Sequence, residues 1–355
     1  MDKLHTLAVE LLRKMIAIPS FSREEAEVAS LIADFLKEQG VATKRKGNNV
    51  WAVNAAFDKS KPTILLNSHH DTVKPNPQYT RDPFSPDIVD GKLFGLGSND
   101  AGGPLVSLIS TFLHFYNQNN LPYNLLLATT AEEEISGTGG IESIWSDLPQ
   151  VSFAIVGEPT LCQMATAEKG LMVLDCTAHG KAGHAAREEG VNAIYEALSD
   201  IEWLRTYRFP KVSDTLGPVK MTVTIIQAGK QHNVVPAECT FTVDVRVTDA
   251  YTLEEILGEI KRNVRCEVKP RSLRMRPSGI ARDHALVKAA SKLGIACYGS
   301  PTTSDQALIP APSVKIGPGD SARSHTADEF IYIDEIRNGI EVYTKILNEV
   351  FASNR

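Results

Sequence analysis

The chain has 355 residues, 43% of them hydrophobic, which is enough for a large core and suggests two domains. Its net charge of -6 at pH 7, without any basic tract, argues against nucleic acid as a partner and favours small solutes. No apolar run approaches membrane-spanning length, the N-terminus lacks a signal-peptide pattern and the five cysteines are scattered, so we expect a cytoplasmic protein with reduced thiols and no membrane partner.

Two amphipathic helices are predicted at the N-terminus. Apolar residues recur at helical spacing from Leu4 to Ile16, and Pro19 ends the first helix. Ser22 and Glu25 have the spacing of a capping box, which predicts that the second helix begins there and continues to Gly40. Both helices are expected to act as scaffold.

A histidine pair follows the next predicted strand directly. The apolar run from Thr63 to Leu66 is short enough for a buried strand, and His69 stands at its carboxyl end. Residues two apart on a strand share a face, so Asp71 can orient the His69 imidazole as a metal ligand requires. The alternative is that His69 and His70 only close a loop.

A glycine-rich turn that contains an acid precedes a long apolar helix. The stretch 95–103 approaches a dinucleotide fingerprint, but Asp100 replaces its last glycine and would repel a pyrophosphate. A carboxylate on a tight glycine turn is suited to bridging cations, because both of its oxygens can face outward. The alternative is that Asp100 caps the helix predicted from Leu105 to Phe115.

Two further buried strands also end in acids. The run 125–128 leads into three adjacent glutamates at 132–134, which repel one another unless a cation lies among them or they form a solvated loop. The run 153–156 ends at Glu158. Ligands of open α/β sheets bind at the carboxyl ends of the strands, so these acids and His69 are expected to meet.

The pattern changes between residues 168 and 277. Strands and helices there follow the order β-α-β-β-α-β of a ferredoxin-like sandwich, with its last strand predicted at 268–275. The α/β pattern then resumes and includes a long terminal helix. The predicted fold class is therefore α/β, with a metal-binding domain of residues 1–167 and 278–355 and an inserted ferredoxin-like domain of residues 168–277.

Seven short motifs, in order along nearly the whole chain, resemble those of one enzyme family. They are Ser68-His69-His70-Asp71-Thr72-Val73, Gly95-Leu96-Gly97-Ser98-Asn99-Asp100, Thr130-Ala131-Glu132-Glu133-Glu134, Gly157-Glu158-Pro159-Thr160, Gly183-His184-Ala185, Asn233-Val234-Val235-Pro236 and Ser324-His325. Together they resemble the dinuclear zinc amidohydrolases that include acetylornithine deacetylase, succinyl-diaminopimelate desuccinylase and glutamate-releasing carboxypeptidases. The resemblance implies a zinc-peptidase-like α/β catalytic domain with an inserted dimerisation (lid) domain.

The resemblance also implies a site for two Zn²⁺ ions, for which Co²⁺ or Mn²⁺ could substitute. The implied metal ligands are His69, Asp100 and Glu158 for one ion and Glu134, Asp100 and His325 for the other, with Asp100 as the bridge. Asp71 would orient His69, and Glu133 would be the general base, although the register leaves Glu132 as an alternative. Without the resemblance, His325 would be interpreted as a loop histidine.

Residues of the inserted domain are implied as well. In the resembling enzymes the residues that match His184 and Asn233 reach the active site of the neighbouring subunit, so a homodimer formed through this domain is expected to take part in catalysis. Taken alone, His184 could be a sheet-edge histidine. Arg246 is the candidate for binding a substrate carboxylate, because its fork matches that geometry; the alternative is that its stem only covers the strand.

An N-acyl amino acid is the expected substrate. The stretches 167–170 and 185–190 look most like those of acetylornithine deacetylases, which implies deacylation of N2-acetylornithine or N2-succinylornithine in arginine biosynthesis. A succinyl-diaminopimelate desuccinylase, or a dipeptidase or carboxypeptidase of the same family, is the alternative. A non-catalytic binding protein on this scaffold is disfavoured, because a pure binder has no need for Glu133.

Overall fold

A computed structural model describes residues 2–187 and 189–353, so Glu188 of the stretch 185–190 lies outside the described residues. The chain forms two compact units. Met1–Thr166, Gly279–Tyr298 and Ser304–Arg355 make up the larger unit, and Ala167–Ser278 with Gly299–Thr303 makes up the smaller one. Among the helices that the structure describes, none is both long and apolar enough to cross a membrane.

The helices and strands alternate along most of the chain. The helices are α1 (Asp2–Ile16), α2 (Ala26–Glu38), α3 (Gly103–Phe115), α4 (Ile141–Ile144), α5 (Ala193–Thr206), α6 (Leu253–Asn263), α7 (Ala285–Lys292) and α8 (Ile333–Ala352). The strands are β1 (Lys44–Lys46), β2 (Asn49–Val53), β3 (Thr63–His69), β4 (Ile88–Val89), β5 (Lys92–Phe94), β6 (Asn124–Thr130), β7 (Phe153–Val156), β8 (Met164–Glu168), β9 (Gly170–His179), β10 (Gly183–His184), β11 (Lys220–Ala228), β12 (Val234–Val235), β13 (Glu238–Val247), β14 (Glu267–Pro270), β15 (Ser278–Gly279), β16 (Cys297–Ser300), β17 (Ser313–Lys315) and β18 (Phe330–Tyr332).

The main sheet has nine strands in the order β1-β2-β6-β3-β7-β17-β8-β15, with β16 beside β8. The three predicted apolar strands form its centre, because β3 pairs in parallel with β6 on one side and with β7 on the other. Every residue of these three strands is buried. Their carboxyl ends therefore lie side by side at one edge of the sheet, which confirms the predicted strands.

Apolar side chains on both faces hold the centre of this sheet in place. Ile64 and Leu66 of β3 pack into a core shared with α1, α3 and α8, whereas Leu65 packs on the opposite face with Leu126. Burial of one such aliphatic side chain contributes about 1.5–3 kcal/mol. Because α3 is buried along most of its length, the turn that carries Asp100 at its start is also held in place.

The beginning of α2 differs from the prediction. The helix starts at Ala26, and the N-cap residue Glu25 makes no capping hydrogen bond with its side chain. Ser22 is not a cap either, because its Oγ donates to Oδ2 of Asp71 over 2.7 Å. The Glu25 carboxylate accepts the backbone N–H of Glu132 at 3.2 Å. The predicted capping box is therefore wrong, since the Ser22 hydroxyl bonds to Asp71 and the Glu25 carboxylate accepts from Arg23 and Glu132 instead of from Ser22.

The smaller unit contains an antiparallel four-stranded sheet in the order β11-β13-β9-β14. The helices α5 and α6 pack on it, and their apolar residues share one core with the strands. Along the chain these elements follow the predicted ferredoxin-like order β-α-β-β-α-β. The last strand is shorter than predicted and ends at Pro270, a residue without an N–H group for the strand ladder.

Candidate metal centre

Six of the predicted side chains lie together in the larger unit. His69 ends β3, and the other five are Asp100, Glu133, Glu134, Glu158 and His325, all in segments next to strand or helix ends. Ligand atoms of His69, Asp100 and Glu134 lie within 4.8 Å of one another, and so do those of His69, Glu133 and Glu158. The structure thus brings acids and imidazoles from five chain segments into one cluster.

Asp100 lies between the two histidines. Its Oδ1 is 3.4 Å from Nε2 of His69, and its Oδ2 is 3.7 Å from Nε2 of His325. Oε2 of Glu134 lies 3.0 Å from Nε2 of His325, whereas Oε1 of Glu158 lies 3.7 Å from Nε2 of His69. One oxygen of Asp100 therefore faces each imidazole, which is the geometry that a bridging ligand needs.

Asp71 lies behind His69 and also holds the neighbouring loop. Its backbone oxygen is 3.0 Å from Nδ1 of His69, and its carboxylate Oδ1 is 3.4 Å from the same nitrogen. The carboxylate accepts the backbone N–H groups of Glu133 and Glu134 at 3.0 and 3.1 Å. In the neutral ring, with the proton on Nδ1 directed at Asp71, Nε2 of His69 presents its lone pair to the cluster.

Glu132 is turned away from the cluster, unlike Glu133. Its backbone has a φ of +56°, and its Oε2 accepts the N–H of Gly139 at 3.1 Å. A Cβ at Gly139 would lie 2.2 Å from Oε1 of Glu132, so this close approach requires glycine. Oε2 of Glu133, by contrast, lies 3.9 Å from Nε2 of His69. Of the two glutamates, only Glu133 faces the imidazole.

Sequence reasoning missed Glu329, which holds the turn that carries Asp100. The Glu329 side chain is buried, and its carboxylate accepts the backbone N–H groups of Gly97, Asn99 and Asp100. It follows His325 by only four positions along the chain. An acid near a loop histidine is too common a pattern to have selected it, because its partners lie in a distant segment.

The cluster holds more carboxylates than imidazoles. Burial raises the pKa of Glu158 to about 8 and the pKa of Glu133 well above its ordinary range. The hydrogen bond that His325 donates to Glu134 raises the pKa of His325 to about 9. Burial opposes protonation of His69, but the surrounding carboxylates, Glu133 foremost, still raise its pKa well above the ordinary range. In the metal-free protein, protons on these groups therefore balance part of the negative charge, and bound divalent cations could balance it instead.

The residues present fit a pair of divalent metal ions. Nε2 of His69 is buried without a hydrogen-bond partner, a costly state for a polar atom that binds nothing. The side chains around it are carboxylates and a second imidazole, ligands that suit zinc, cobalt or manganese. Metal ions would satisfy the unpartnered nitrogen and offset the excess negative charge together.

His184 and Asn233 occupy neighbouring positions in the smaller unit. There β10 and β12 form a two-stranded ribbon in which His184 pairs with Val234, and the N–H of Ala185 donates to the backbone oxygen of Asn233 at 2.9 Å. Nδ1 of His184 accepts the N–H of Ala186 at 3.1 Å. In the neutral ring the proton therefore lies on Nε2, which leaves that nitrogen as a hydrogen-bond donor.

Arg246 lies on β13 and is already paired within the smaller unit. Its Nε and Nη2 donate to the two carboxylate oxygens of Asp244 at 2.8 and 3.0 Å, and its Nη1 donates to Oγ1 of Thr303 at 3.3 Å. The side chain is 28% exposed. These bonds use three of the five guanidinium N–H groups, so one on Nη1 and one on Nη2 remain for a ligand carboxylate.

Known proteins resemble this chain along most of its length. Residues 65–349 match the model of peptidase family M20/M25/M40. The acetylornithine deacetylase of Proteus mirabilis (strain HI4320) is 28% identical over 360 residues, which cover 91% of this chain and 91% of that protein. Among solved structures, the M20 family metallo-carboxypeptidase Sso-CP2 of Sulfolobus solfataricus has a TM-score of 0.77 at 18% identity, over 99% of this chain and 100% of that one. The Bacillus subtilis YXEP protein, a dinuclear metal-binding peptidase of the M20 family, has a TM-score of 0.74 at 17% identity, over 99% of each chain.

Metal binding is expected to release protons. At pH 7 the metal-free protein holds protons on Glu158, whose pKa is about 8, and on His325, whose pKa is about 9, whereas metal ligands must be deprotonated. His69, whose pKa is also raised well above the ordinary range, adds to these two groups. We expect zinc titrations of chelator-treated protein at pH 7 to give different heats in buffers of low and high ionisation enthalpy, equivalent to roughly two or three protons per protein. Equal heats in both buffers would contradict this prediction.

Glu158 and His325 also give the sign of the pH dependence of stability. Their pKa values of about 8 and about 9 lie above the ordinary values of 4.5 and 6.5, so the folded metal-free protein binds protons that the unfolded chain releases. This stabilisation is fully present below the ordinary values and is lost as the pH rises through 8 and 9. The Tm of the metal-free protein should therefore fall over this window more than that of the metal-loaded protein.

Proposed function

The chain belongs to peptidase family M20/M25/M40 and is a hydrolase of amide bonds, and we propose that it removes the N-acyl group from an amino acid, with N2-acetylornithine as the favoured substrate. The observation that carries the chemistry is the convergence of Asp100 with both histidines beside a buried, unpartnered nitrogen of His69. The similarity to an acetylornithine deacetylase over 91% of the chain supports the choice of substrate. Such a substrate would place the enzyme in arginine biosynthesis in the cytoplasm.

Zinc is the metal that we propose, in two positions that share Asp100. His69 and Glu158 would complete the ligands of one ion, and Glu134 and His325 those of the other. When bound, such a pair of ions polarises an amide carbonyl and lowers the pKa of the attacking water. Cobalt or manganese could substitute, because the donors are nitrogen and oxygen atoms only.

Glu133 is the proposed general base. Its carboxylate faces the cluster, and Asp71 fixes its backbone through the N–H bond at 3.0 Å. In the reaction Glu133 takes a proton from the water that attacks the amide carbon. It then gives this proton to the departing nitrogen as the C–N bond breaks, which leaves a carboxylate and an amine.

His184 is the proposed donor to the oxyanion that develops on the amide oxygen. The hydrogen bond from Ala186 leaves its Nε2–H free to donate, which is the tautomer that an oxyanion requires. Asn233, on the same ribbon, is proposed as a second polar contact to substrate. As in the enzymes that the motifs resemble, we propose that both residues serve the active site of the other subunit of a homodimer.

Exposed apolar side chains of the smaller unit support the proposed dimer. Ile225 and Ile226 are each 51% exposed on β11, an edge strand of the four-stranded sheet. Tyr195 and Leu198 are 68% and 51% exposed, three positions apart on α5. Apolar surface beside an unpaired strand edge is typical of a surface that a second chain covers.

Arg246 is the proposed partner of the substrate carboxylate. Asp244 and Thr303 hold its guanidinium in one orientation, which lowers the entropy that binding would cost. A planar fork of this kind matches a carboxylate better than a lysine would. An N-acyl amino acid carries such a carboxylate next to the amide that is cleaved.

Three other interpretations of the same site differ in substrate or in class of protein. The similarity to the metallo-carboxypeptidase Sso-CP2 favours a peptidase that cleaves before a free carboxylate as the second candidate, and a desuccinylase would differ only in the acyl group. A protein that binds amino acids without catalysis is the rival from another class. It leaves unexplained why the Glu133 side chain, rather than Glu132, faces the cluster.

Replacement of the general base tests the chemistry. We expect Glu133→Gln to lower kcat for N2-acetylornithine by about 10²- to 10⁴-fold while two metal ions stay bound. Hydrolysis is assayed with metal content measured in the same sample, and the exposed Glu27→Gln serves as a control that should keep full activity. Undiminished activity of Glu133→Gln would remove this residue from the role of base.

A substrate panel tests the specificity. The zinc-loaded protein should hydrolyse N2-acetylornithine with a kcat/KM about tenfold or more above that for any dipeptide, because the acyl and side-chain contacts differ in the transition state. The panel contains N-acetyl and N-succinyl derivatives of ornithine and lysine, N-succinyl-diaminopimelate and dipeptides. A dipeptide as best substrate would establish the peptidase instead, and no hydrolysis of any member by metal-loaded protein would favour the binding protein.

Mixed dimers test the sharing of sites between subunits. His184→Ala and Glu133→Gln should each be inactive alone, but a heterodimer of the two contains one site with both groups intact. After equal mixing and subunit exchange, we expect about a quarter of wild-type activity, since half of the dimers are mixed and half of their sites are intact. Subunit exchange is verified with differently tagged chains. Verified heterodimers without activity would show that the sites are not shared.

A further inference from the structure

We propose that Glu329 is a positioning residue that fixes the bridging orientation of Asp100, and that it acts on metal binding more than on folding. The inference rests on the proposed function in so far as Asp100 is a metal ligand. Glu329 is assigned no metal and no substrate of its own. It acts through the backbone of the turn from which Asp100 projects.

The hydrogen bonds of the Glu329 carboxylate define its role. Oε1 accepts the N–H groups of Asn99 and Asp100, each at 2.9 Å, and Oε2 accepts that of Gly97 at 3.1 Å. The side chain belongs to a residue that is only 2% exposed. Three N–H groups of one short turn therefore converge on a single buried acceptor, and the orientation of the Asp100 peptide depends on it.

Backbone hydrogen bonds also connect the two segments that carry Asp100 and Glu329. β18 pairs with β5, and the N–H of Gly95 donates to the backbone oxygen of Glu329 at 3.0 Å. Asn99 adds a reciprocal pair with Asp320, in which Nδ2 donates to the backbone oxygen and Oδ1 accepts the N–H, each at 3.0 Å. Since His325 lies between Asp320 and Glu329, these contacts set the spacing of Asp100 and His325.

The chemistry of the side chain explains why a carboxylate stands here. A glutamine of the same shape has one acceptor oxygen and one NH₂ group, so it could accept from Asn99 and Asp100 but would direct a donor at the N–H of Gly97. The carboxylate accepts all three, at the cost of a second buried negative charge next to Asp100. That repulsion is relieved when cations occupy the cluster, so the benefit of Glu329 is greatest in the metal-bound protein.

Glu329→Gln tests the proposal, with Asp200→Asn as the matched control. Asp200 is also a buried acid, 4% exposed, and it accepts the N–H groups of Arg265 and Cys266 in the smaller unit at 3.0 and 2.8 Å. Titration calorimetry of the chelator-treated proteins with zinc measures both binding steps, and thermal melts follow the metal-free proteins. We expect Glu329→Gln to weaken at least one zinc step about 10- to 100-fold while its metal-free Tm stays at or above that of the wild type.

The control separates positioning from a general effect on the fold. Asp200→Asn should lower the metal-free Tm and leave both zinc steps unchanged. Zinc affinities of Glu329→Gln equal to those of the wild type would overturn the proposal, and so would a fall of its metal-free Tm as large as that of Asp200→Asn. Because no substrate is added, a wild-type protein that binds two ions but hydrolyses no N-acyl amino acid refutes the proposed function and leaves this inference standing.

Discussion

Buried carboxylates that accept backbone N–H groups are the interaction on which this site depends. Asp71 binds the N–H groups of Glu133 and Glu134, and Glu329 binds those of the turn around Asp100. A buried loop has no strand or helix ladder to satisfy its N–H groups, so it needs acceptors of another kind. These two carboxylates take the place of regular secondary structure where the clustered acids and imidazoles follow the carboxyl ends of the strands.

The use of carboxylates to hold these loops adds negative charge to a region that is already acidic. Burial raises the pKa of Glu329 to about 8, ahead of the effect of Asp100, and likewise raises the pKa of Glu134. Replacing such supports by neutral acceptors would remove the repulsion but also some of the hydrogen bonds. So many acids in one region require protons or bound cations to balance their charge, which agrees with a metal-binding role for this cluster.

Much of the larger unit could be predicted because its signals are local. The apolar runs that became β3, β6 and β7 are short and fully buried, and each is followed by an acid or a histidine. The resemblance carried by the seven motifs is confirmed by the family match over residues 65–349. His325 is different, because nothing in its own neighbourhood marks it. The capping box at Ser22 failed for a related reason, since its spacing was right but a distant carboxylate competed for the hydroxyl.

The sequence by itself determined which strands are buried and that acids and a histidine stand at their carboxyl ends. It could do so because a buried strand is a short run of apolar residues, a pattern that neighbouring positions of the chain show directly. Only the tertiary structure decided which of two adjacent glutamates faces the imidazole, since that choice depends on a backbone φ of +56° at Glu132 and on the close approach of Gly139. It alone also revealed Glu329 as the support of Asp100. Hydrogen bonds between segments more than two hundred residues apart follow no period along the chain, so the folded arrangement is needed to find them.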